Sequence, residues 1–307
     1  MRHAIILSSY IPSTDVALRI GKYYIDLIRR RFADCTIYVG VNTGSSEDWR
    51  EMLINSRLNI VVCDVEDRLS VNSDVAGFQS VLRTLRRTRA GHDFYWFGHT
   101  KGATHSHYAE AELLREIIER DFWSRRSEIE ARCDPMRFGT FPALPMPASG
   151  RNEVEVAYLR SIFPARYSPI GIIPTFTFFG MTGIALRNFL GSADDRFFDE
   201  NLVETSGVSR YFFEGAFSWI SDMAGFEPYL LRKEFSRPDN AASHWPTHPN
   251  DFVLNRLKAS KLIASWREDR EGFDFPGWPM WVGENIEYQN RLIGAEEFFN
   301  LYPSYRP

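Results

Sequence analysis

Residues His92–Gly102 read HDFYWFGHTKG. The stretch opens as an aromatic, apolar run and closes in small and polar residues, the pattern of a buried parallel strand with a polar carboxyl tip. In open α/β sheets ligands bind outside the carboxyl ends of the strands. His99 and Lys101 fall at such an end, and Gly98 and Gly102 let a ligand approach the backbone. The alternative is a surface turn after a core strand.

Working outward from it, the preceding chain alternates strand and helix. Residues 4–9 (AIILSS) predict a strand with a polar tip. Residues 14–32 predict a helix with Val16, Ile20, Tyr23, Tyr24, Leu27 and Ile28 on one face. Ser13, Thr14 and Asp15 are N-cap types for it. Strands follow at 35–41 and 59–65, the latter carrying Asp64 near its end, with a short helix at 46–57 between them. Residues 73–90 predict a helix whose basic second half suits the negative end of the helix dipole. Residues 108–132 read as a long charged helix. This alternation predicts an α/β fold, a mostly parallel central sheet flanked by helices on both faces, with right-handed crossovers.

Downstream the pattern loosens. Residues 134–150 are rich in Pro and Gly around a short strand at 138–141, a linker or an active-site loop. Helices are expected at 152–163, 210–223 and 251–268. Residues 174–187 (PTFTFFGMTGIALR) run as a strand through glycines into a helix. Residues 235–250 and 271–284 read as irregular.

Composition narrows the function classes. A formal charge of −4 over 307 residues, with a pI near 6.0, does not fit a nucleic-acid binder. Aromatic residues make up 15%, so either the core is unusually aromatic or flat ligands have stacking platforms. Cys35, Cys63 and Cys133 show no C-x-x-C spacing, which argues against a disulfide framework or a zinc site and fits a reducing, cytoplasmic setting. The opening apolar run is too short for a signal peptide, and no transmembrane segment is expected. The dinucleotide fingerprint, the P-loop, the G-x-S-x-G elbow and H-E-x-x-H are all missing, which removes common α/β enzyme classes.

What remains is a row of strand tips: Ser8-Ser9-Tyr10, Asp64, and His99-Thr100-Lys101. A parallel sheet sets them along one edge. Tyr10 could stack a base, Asp64 could accept from a base N–H or ribose hydroxyls, and Lys101 offers a compact charge for a phosphate. Each also has a plainer reading, as core cap, turn cap or solvated charge. His105 and His107 alternate and, with His99, form a candidate metal cluster. His244 and His248 either close over a ligand or are ordinary surface histidines. Glu214 lies among aromatics; burial would suit it to general-base work, and the alternative is a helix pair with Arg210.

The Ser-Ser-Tyr tip, Asp64, the His99–Gly102 tip and the later run from Phe178 to Arg187 together resemble glycosyltransferases of the GT-A fold, over roughly residues 1–225. The resemblance implies a single GT-A-like domain over 1–307: a nucleotide-binding half at 1–133, an acceptor-side half at 134–250, and a C-terminal helix and tail at 251–307. It implies a nucleotide-diphosphate sugar, UDP-linked, and hexosyl transfer to an unknown acceptor; a nucleotide-binding protein without transfer activity is the alternative. Ser8, Ser9, Tyr10 and Asp64 would contact the nucleoside, with His99 and Lys101 beside the diphosphate. Phe179, Gly180, Met181 and Thr182 would border the sugar and acceptor, and Glu214 would stand near the acceptor. Catalysis would then fall to Glu214 and Lys101. Most members carry D-x-D after the fourth strand to hold a divalent metal, manganese or magnesium. Here His99-Thr100-Lys101 takes that place. Either Lys101 neutralises the diphosphate alone, or a metal is held through histidines such as His99 or His244.

Overall fold

The computed structural model describes residues 1–72, 74–100, 103–104, 115, 119, 122–127, 130, 135, 140–142, 145–147, 153–162, 172–174, 177–208 and 212. Four parallel strands lead: β1 (His3–Ser9), β2 (Thr36–Val41), β3 (Ile60–Asp64) and β4 (Phe94–His99). Between them run α1 (Asp15–Arg31), α2 (Glu47–Asn55) and α3 (Asp74–Thr88), the last preceded by a 3-10 turn at Asp67–Asn72. The Thr14 side chain accepts from the Ala17 N–H and starts α1; Arg29, Arg30 and Arg31 sit in its last turn, where the helix dipole favours cations. Ser46 caps α2 in the same way.

After β4 come a 3-10 turn at Trp123–Arg125, β5 (Thr140–Pro142), β6 (Pro145–Pro147), α4 (Glu153–Ile162), β7 (Ile172–Pro174), β8 (Phe179–Thr182), α5 (Gly183–Ser192), α6 (Arg196–Asp199) and α7 (Leu202–Ser206). The main sheet has the order β3-β2-β1-β4-β8-β5. Strand β8 runs antiparallel to both its neighbours, and β6 and β7 make a separate antiparallel ribbon. The fold is thus α/β with a mostly parallel central sheet, as expected. The reversed strand wedged between β4 and β5 was not anticipated.

Helices cover both faces. On one face α1 and α2 pack with Trp49, Trp96, Phe122 and Trp123 against Ile5, Leu7, Ile37 and Val39. On the other, α3 and α5 pack with Phe78, Phe189 and Phe197 against Ile6, Phe97, Phe179 and Met181. Alternate residues of each strand feed opposite faces, which is why the central strands read as continuous apolar runs. The aromatic surplus goes into these layers. Trp96 is fully buried and meets Phe32 and Phe122 edge-on at 5.2 and 5.0 Å, a geometry that adds to area burial.

Some expectations change. The strand expected to open at 174 is regular only over Phe179–Thr182, and α5 starts directly at Gly183. Of the long helix expected at 108–132 the described part includes a 3-10 turn at Trp123–Arg125, tucked under the sheet by two buried rings, Phe122 and Trp123. The helices expected at 210–223 and 251–268, and the irregular stretches at 235–250 and 271–284, lie outside the described residues apart from Phe212, which packs beside Tyr158 and Phe197. Cys35 and Cys63 are buried free thiols, and burial pushes Cys35 up to about 12; Cys133 lies outside the described residues. No described helix is long and apolar enough to cross a membrane.

Candidate functional site

Strand order decides where a ligand can enter. From β1 the chain steps to β2 and β3 on one side, then returns to place β4 on the other. The helices leading in the two directions lie on opposite faces, the arrangement in which open α/β sheets take ligands at the carboxyl ends of the strands. The residues at that junction are Ser8, Ser9 and Tyr10 from β1, and His99 and Thr100 from β4, with Ser8 directly opposite His99 in register.

The two tips are tied together. Thr100 Oγ1 accepts from the Tyr10 N–H at 3.0 Å and donates to the Tyr10 carbonyl at 3.2 Å. The Thr100 N–H donates to the Ser8 carbonyl at 3.1 Å. The Tyr10 ring lies over the turn after β2, where Gly44 adopts a φ of +87°, and a Cβ there would sit 3.3 Å from the ring. Tyr10 is half-buried at the carboxyl end of β1.

Ser8 and Ser9 are fully buried and point to opposite faces. Ser8 Oγ donates to the Asp74 carbonyl at 2.9 Å and accepts from Asn42 Nδ2 at 3.3 Å. Ser9 Oγ donates to the Gly40 carbonyl and accepts from Trp49 Nε1, both at 3.1 Å. Both hydroxyls are therefore engaged within the fold, Ser8 with the start of α3 and the turn after β2, Ser9 with β2 and α2. The first turn of α3 comes this close because Gly77 and Gly40 face each other: a Cβ on Gly40 would stand 2.1 Å from the Gly77 carbonyl oxygen.

Asp64 stands on the same edge two strands away, about 10 Å from β1 by strand spacing. Its exposed carboxylate pairs with Arg50 of α2. Its carbonyl accepts from Ser80 Oγ at 2.8 Å.

His99 is 7% exposed, and its Nδ1 lies 2.7 Å from Asp74 Oδ2. The carboxylate at the start of α3 therefore orients the imidazole. The other face of the site is Phe178, whose ring centroid is 5.3 Å from that of His99. Among the described residues, His99 Nε2 and Asn42 Oδ1 are buried without a hydrogen-bond partner. Unpaired buried polar atoms are uncommon and call for an explanation. Just before Phe178, Thr177 is buried with a φ of +57°, a conformation a β-branched residue seldom holds without a reason in its surroundings.

Phe179, Gly180, Met181 and Thr182, expected to border the sugar and acceptor, are instead strand β8 itself. Phe179 stacks on Phe97 at 4.4 Å, and Gly180 is where the Phe94 ring passes, 2.2 Å from any added Cβ. Because β8 is reversed, Thr182 pairs with Phe94, about 16 Å down the strand from His99. Their side chains build the core, and the residues at the site end of β8 are Thr177 and Phe178. Lys101, His105, His107, Glu214, His244 and His248 lie outside the described residues.

Asp74 and Asn42 were not singled out from the sequence, and Thr100 and Phe178 were named only within longer motifs. Asn42 directly follows the tip of β2 and Asp74 opens α3, and only the fold brings them to Ser8 and His99. Among the described residues no group of three or more His, Cys, Asp or Glu converges to hold an ion. His99 and Asp74 bind each other, and Asp64 binds Arg50.

No protein-family model matches the sequence, and no curated protein matches it significantly. Among solved structures, 4-diphosphocytidyl-2C-methyl-D-erythritol synthase is similar with a TM-score of 0.34 at 12% identity, over 84% of this chain and 99% of that one. TarS from S. aureus, residues 1–349, is similar with a TM-score of 0.33 at 12% identity, over 98% of this chain and 75% of that one. At these scores neither likeness decides the fold, which rests on the chain's own strand order.

Proposed function

We propose that the chain is a glycosyltransferase-like protein that binds a nucleotide-diphosphate sugar, UDP-linked, at the junction of the β1 and β4 tips and transfers the sugar to an acceptor hydroxyl. The Ser8–Tyr10, His99–Gly102 and Phe178–Arg187 motifs, as we read them, resemble those of majastridin, a glycosyltransferase-like bacterial protein. The observation that carries the reading is the switch in strand order at the β1–β4 junction, with Tyr10 at the end of β1 and the Asp74–His99 pair beside it. Tyr10 would stack the base. In the reaction an acceptor oxygen bonds to the anomeric carbon as the bond from that carbon to the diphosphate oxygen breaks. The leaving diphosphate takes the electron pair, and the acceptor proton passes to a base. Lys101 would neutralise the leaving group, and Glu214 would be the base if the stereochemistry inverts.

The test is a melting-temperature screen of the full chain over UDP, GDP and CDP and their sugar conjugates, followed by turnover of whichever sugar nucleotide binds. UDP compounds should raise the melting temperature in proportion to the logarithm of their concentration. Lys101→Ala should lower turnover by about 10²–10³-fold, the usual loss of one charge-stabilising group. Absence of any nucleotide-dependent shift would reject the reading. A second reading, nucleotide binding without transfer, is favoured by one observation: His99-Thr100-Lys101 stands where D-x-D is expected. Tight UDP binding with neither hydrolysis nor transfer would select it.

A further inference from the structure

The end of the sheet away from Tyr10 and His99, where the parallel strands begin, carries a charge that the composition hides. Helices α1 to α3 all run back from the strand tips, so acids open them and arginines close them. Asp15, Glu47, Asp48 and Asp74 stand in first turns at the carboxyl edge. Arg29, Arg30 and Arg31 end α1, and Arg86 and Arg87 end α3, at the amino edge. There Asp26, Asp93, Glu119 and Asp195 each pair with arginine. Among the described residues no acid pairs with the exposed Arg57, Arg87 or Arg89. Two of these three stand where glycine is usual. Arg57 follows Ser56, the C-cap of α2, with a φ of +60°, and Arg89 follows the last residue of α3 with a φ of +52°. A left-handed residue just past a helix end is most often glycine, because a side chain strains that conformation. The helix dipole favours a cation nearby, but α3 already has Arg86 and Arg87 in its last turn. From the start of β3 to the start of β4 is three strand spacings, about 14 Å. Ile54, in the last turn of α2, is 77% exposed, the most exposed large hydrophobic among the described residues.

We propose that the amino edge of the sheet is a docking face for an anionic lipid bilayer, with Arg57, Arg87 and Arg89 on the headgroups and Ile54 reaching the acyl boundary. The proposal goes beyond the nucleotide-site reading and does not rest on it. The arginines come from helix ends on both faces of the sheet, so they suit an extended anionic surface more than one small anion. Nucleic acid is the other extended polyanion. Proteins that hold single strands without sequence preference add aromatic platforms, and none of the exposed large hydrophobics among the described residues is aromatic. An exposed isoleucine among arginines supplies what an interfacial contact uses, apolar insertion together with headgroup attraction. The net charge of −4 does not oppose this, because screening over about 8 Å at physiological salt lets one end of the molecule act by itself. Docking by this edge leaves the carboxyl edge facing away from the bilayer.

The experiment is cosedimentation of the full chain with vesicles of mixed phosphatidylglycerol and phosphatidylcholine, and of phosphatidylcholine alone, in low and in high salt. Binding should require phosphatidylglycerol and weaken as salt rises. Arg57→Gly combined with Arg89→Gly should weaken it by about 30-fold, roughly fivefold for each arginine near an anionic surface. Glycine suits the backbone at both positions, so the double variant should melt no lower than wild type, which separates a lost contact from a lost fold. Arg87→Gln, at an exposed helical position, should cost about fivefold by itself. Ile54→Ser should weaken binding to the same vesicles by about tenfold. No sedimentation with phosphatidylglycerol vesicles, equal binding to phosphatidylcholine alone, or binding that these variants keep in full would overturn the proposal. Binding of single-stranded RNA in place of vesicles, lost in the same variants, would overturn it in favour of nucleic acid.

Discussion

Gly40 and Gly77 meet backbone to backbone, and the site depends on that contact. Gly77→Ala would place a methyl 2.1 Å from Ser8 Oγ, so α3 would have to lift from the sheet. We expect a loss of about 1–3 kcal/mol, typical of overpacking, and a lower urea midpoint for Gly77→Ala than for wild type. Moving α3 also moves Asp74, so nucleotide affinity should fall with stability. Ser8→Ala tests the same seam more gently. It strips partners from the Asp74 carbonyl and Asn42 Nδ2, and a cost of about 1–2 kcal/mol is expected from thermal unfolding. The polar tips themselves were legible in the sequence, since a polar residue ending an apolar strand is a local signal. Whether a hydroxyl faces a ligand or a helix was not, because the partner of Ser8 lies 66 positions away. The Asp74–His99 pair escaped for the same reason.

Helix α3 is the element that connects the site to the rest of the fold. Gln79 Nε2 donates to the Phe197 and Glu200 carbonyls at 2.9 and 3.0 Å, and Arg83 pairs with Glu66 and with Asp199. Arg83→Met keeps the apolar stem and removes these bonds. A loss on the order of 2 kcal/mol is expected in chemical unfolding, with α6 gaining amide exchange before α1 does. At this scale the first half was readable. Helices α1 to α3 carry apolar faces at helical spacing, and α1 and α2 start at capping residues, so each strand–helix alternation announces itself. The second half was not. Strand β8 has four residues, too few to signal direction, and its reversal places Met181 and Thr182 away from the tip edge. The prolines of β6 disguised a short strand as loop, whereas the short strand expected at 138–141 stands as β5 at Thr140–Pro142.

For the whole molecule, acid is the condition that should unfold it. His3 at the start of β1 has its side chain wholly buried, accepts from Trp96 Nε1 at 3.0 Å, and lies 2.9 Å from Glu130. Burial holds it neutral, with a pKa lowered to about 4. The unfolded chain binds that proton near the ordinary histidine value of 6.5 and the folded chain does not. The stabilisation is therefore complete above 6.5 and drains away as pH falls toward 4. Asp34 adds to this at lower pH. Its carboxylate is gripped by Arg126 through two bonds of 2.6 Å and is held well below the usual carboxylate range, so its contribution is lost only once acid reaches that range. Melting temperature should decline from pH 7 to pH 4, and His3→Gln should flatten the upper part of that decline. The central claim, a nucleotide held at the β1–β4 junction, is tested most directly by amide hydrogen exchange of the full chain with and without saturating UDP. The account predicts slowed exchange in peptides spanning residues 8–12, 41–46 and 98–100, with the far ends of the same strands unchanged. Protection elsewhere, with these three segments unaltered, would contradict it.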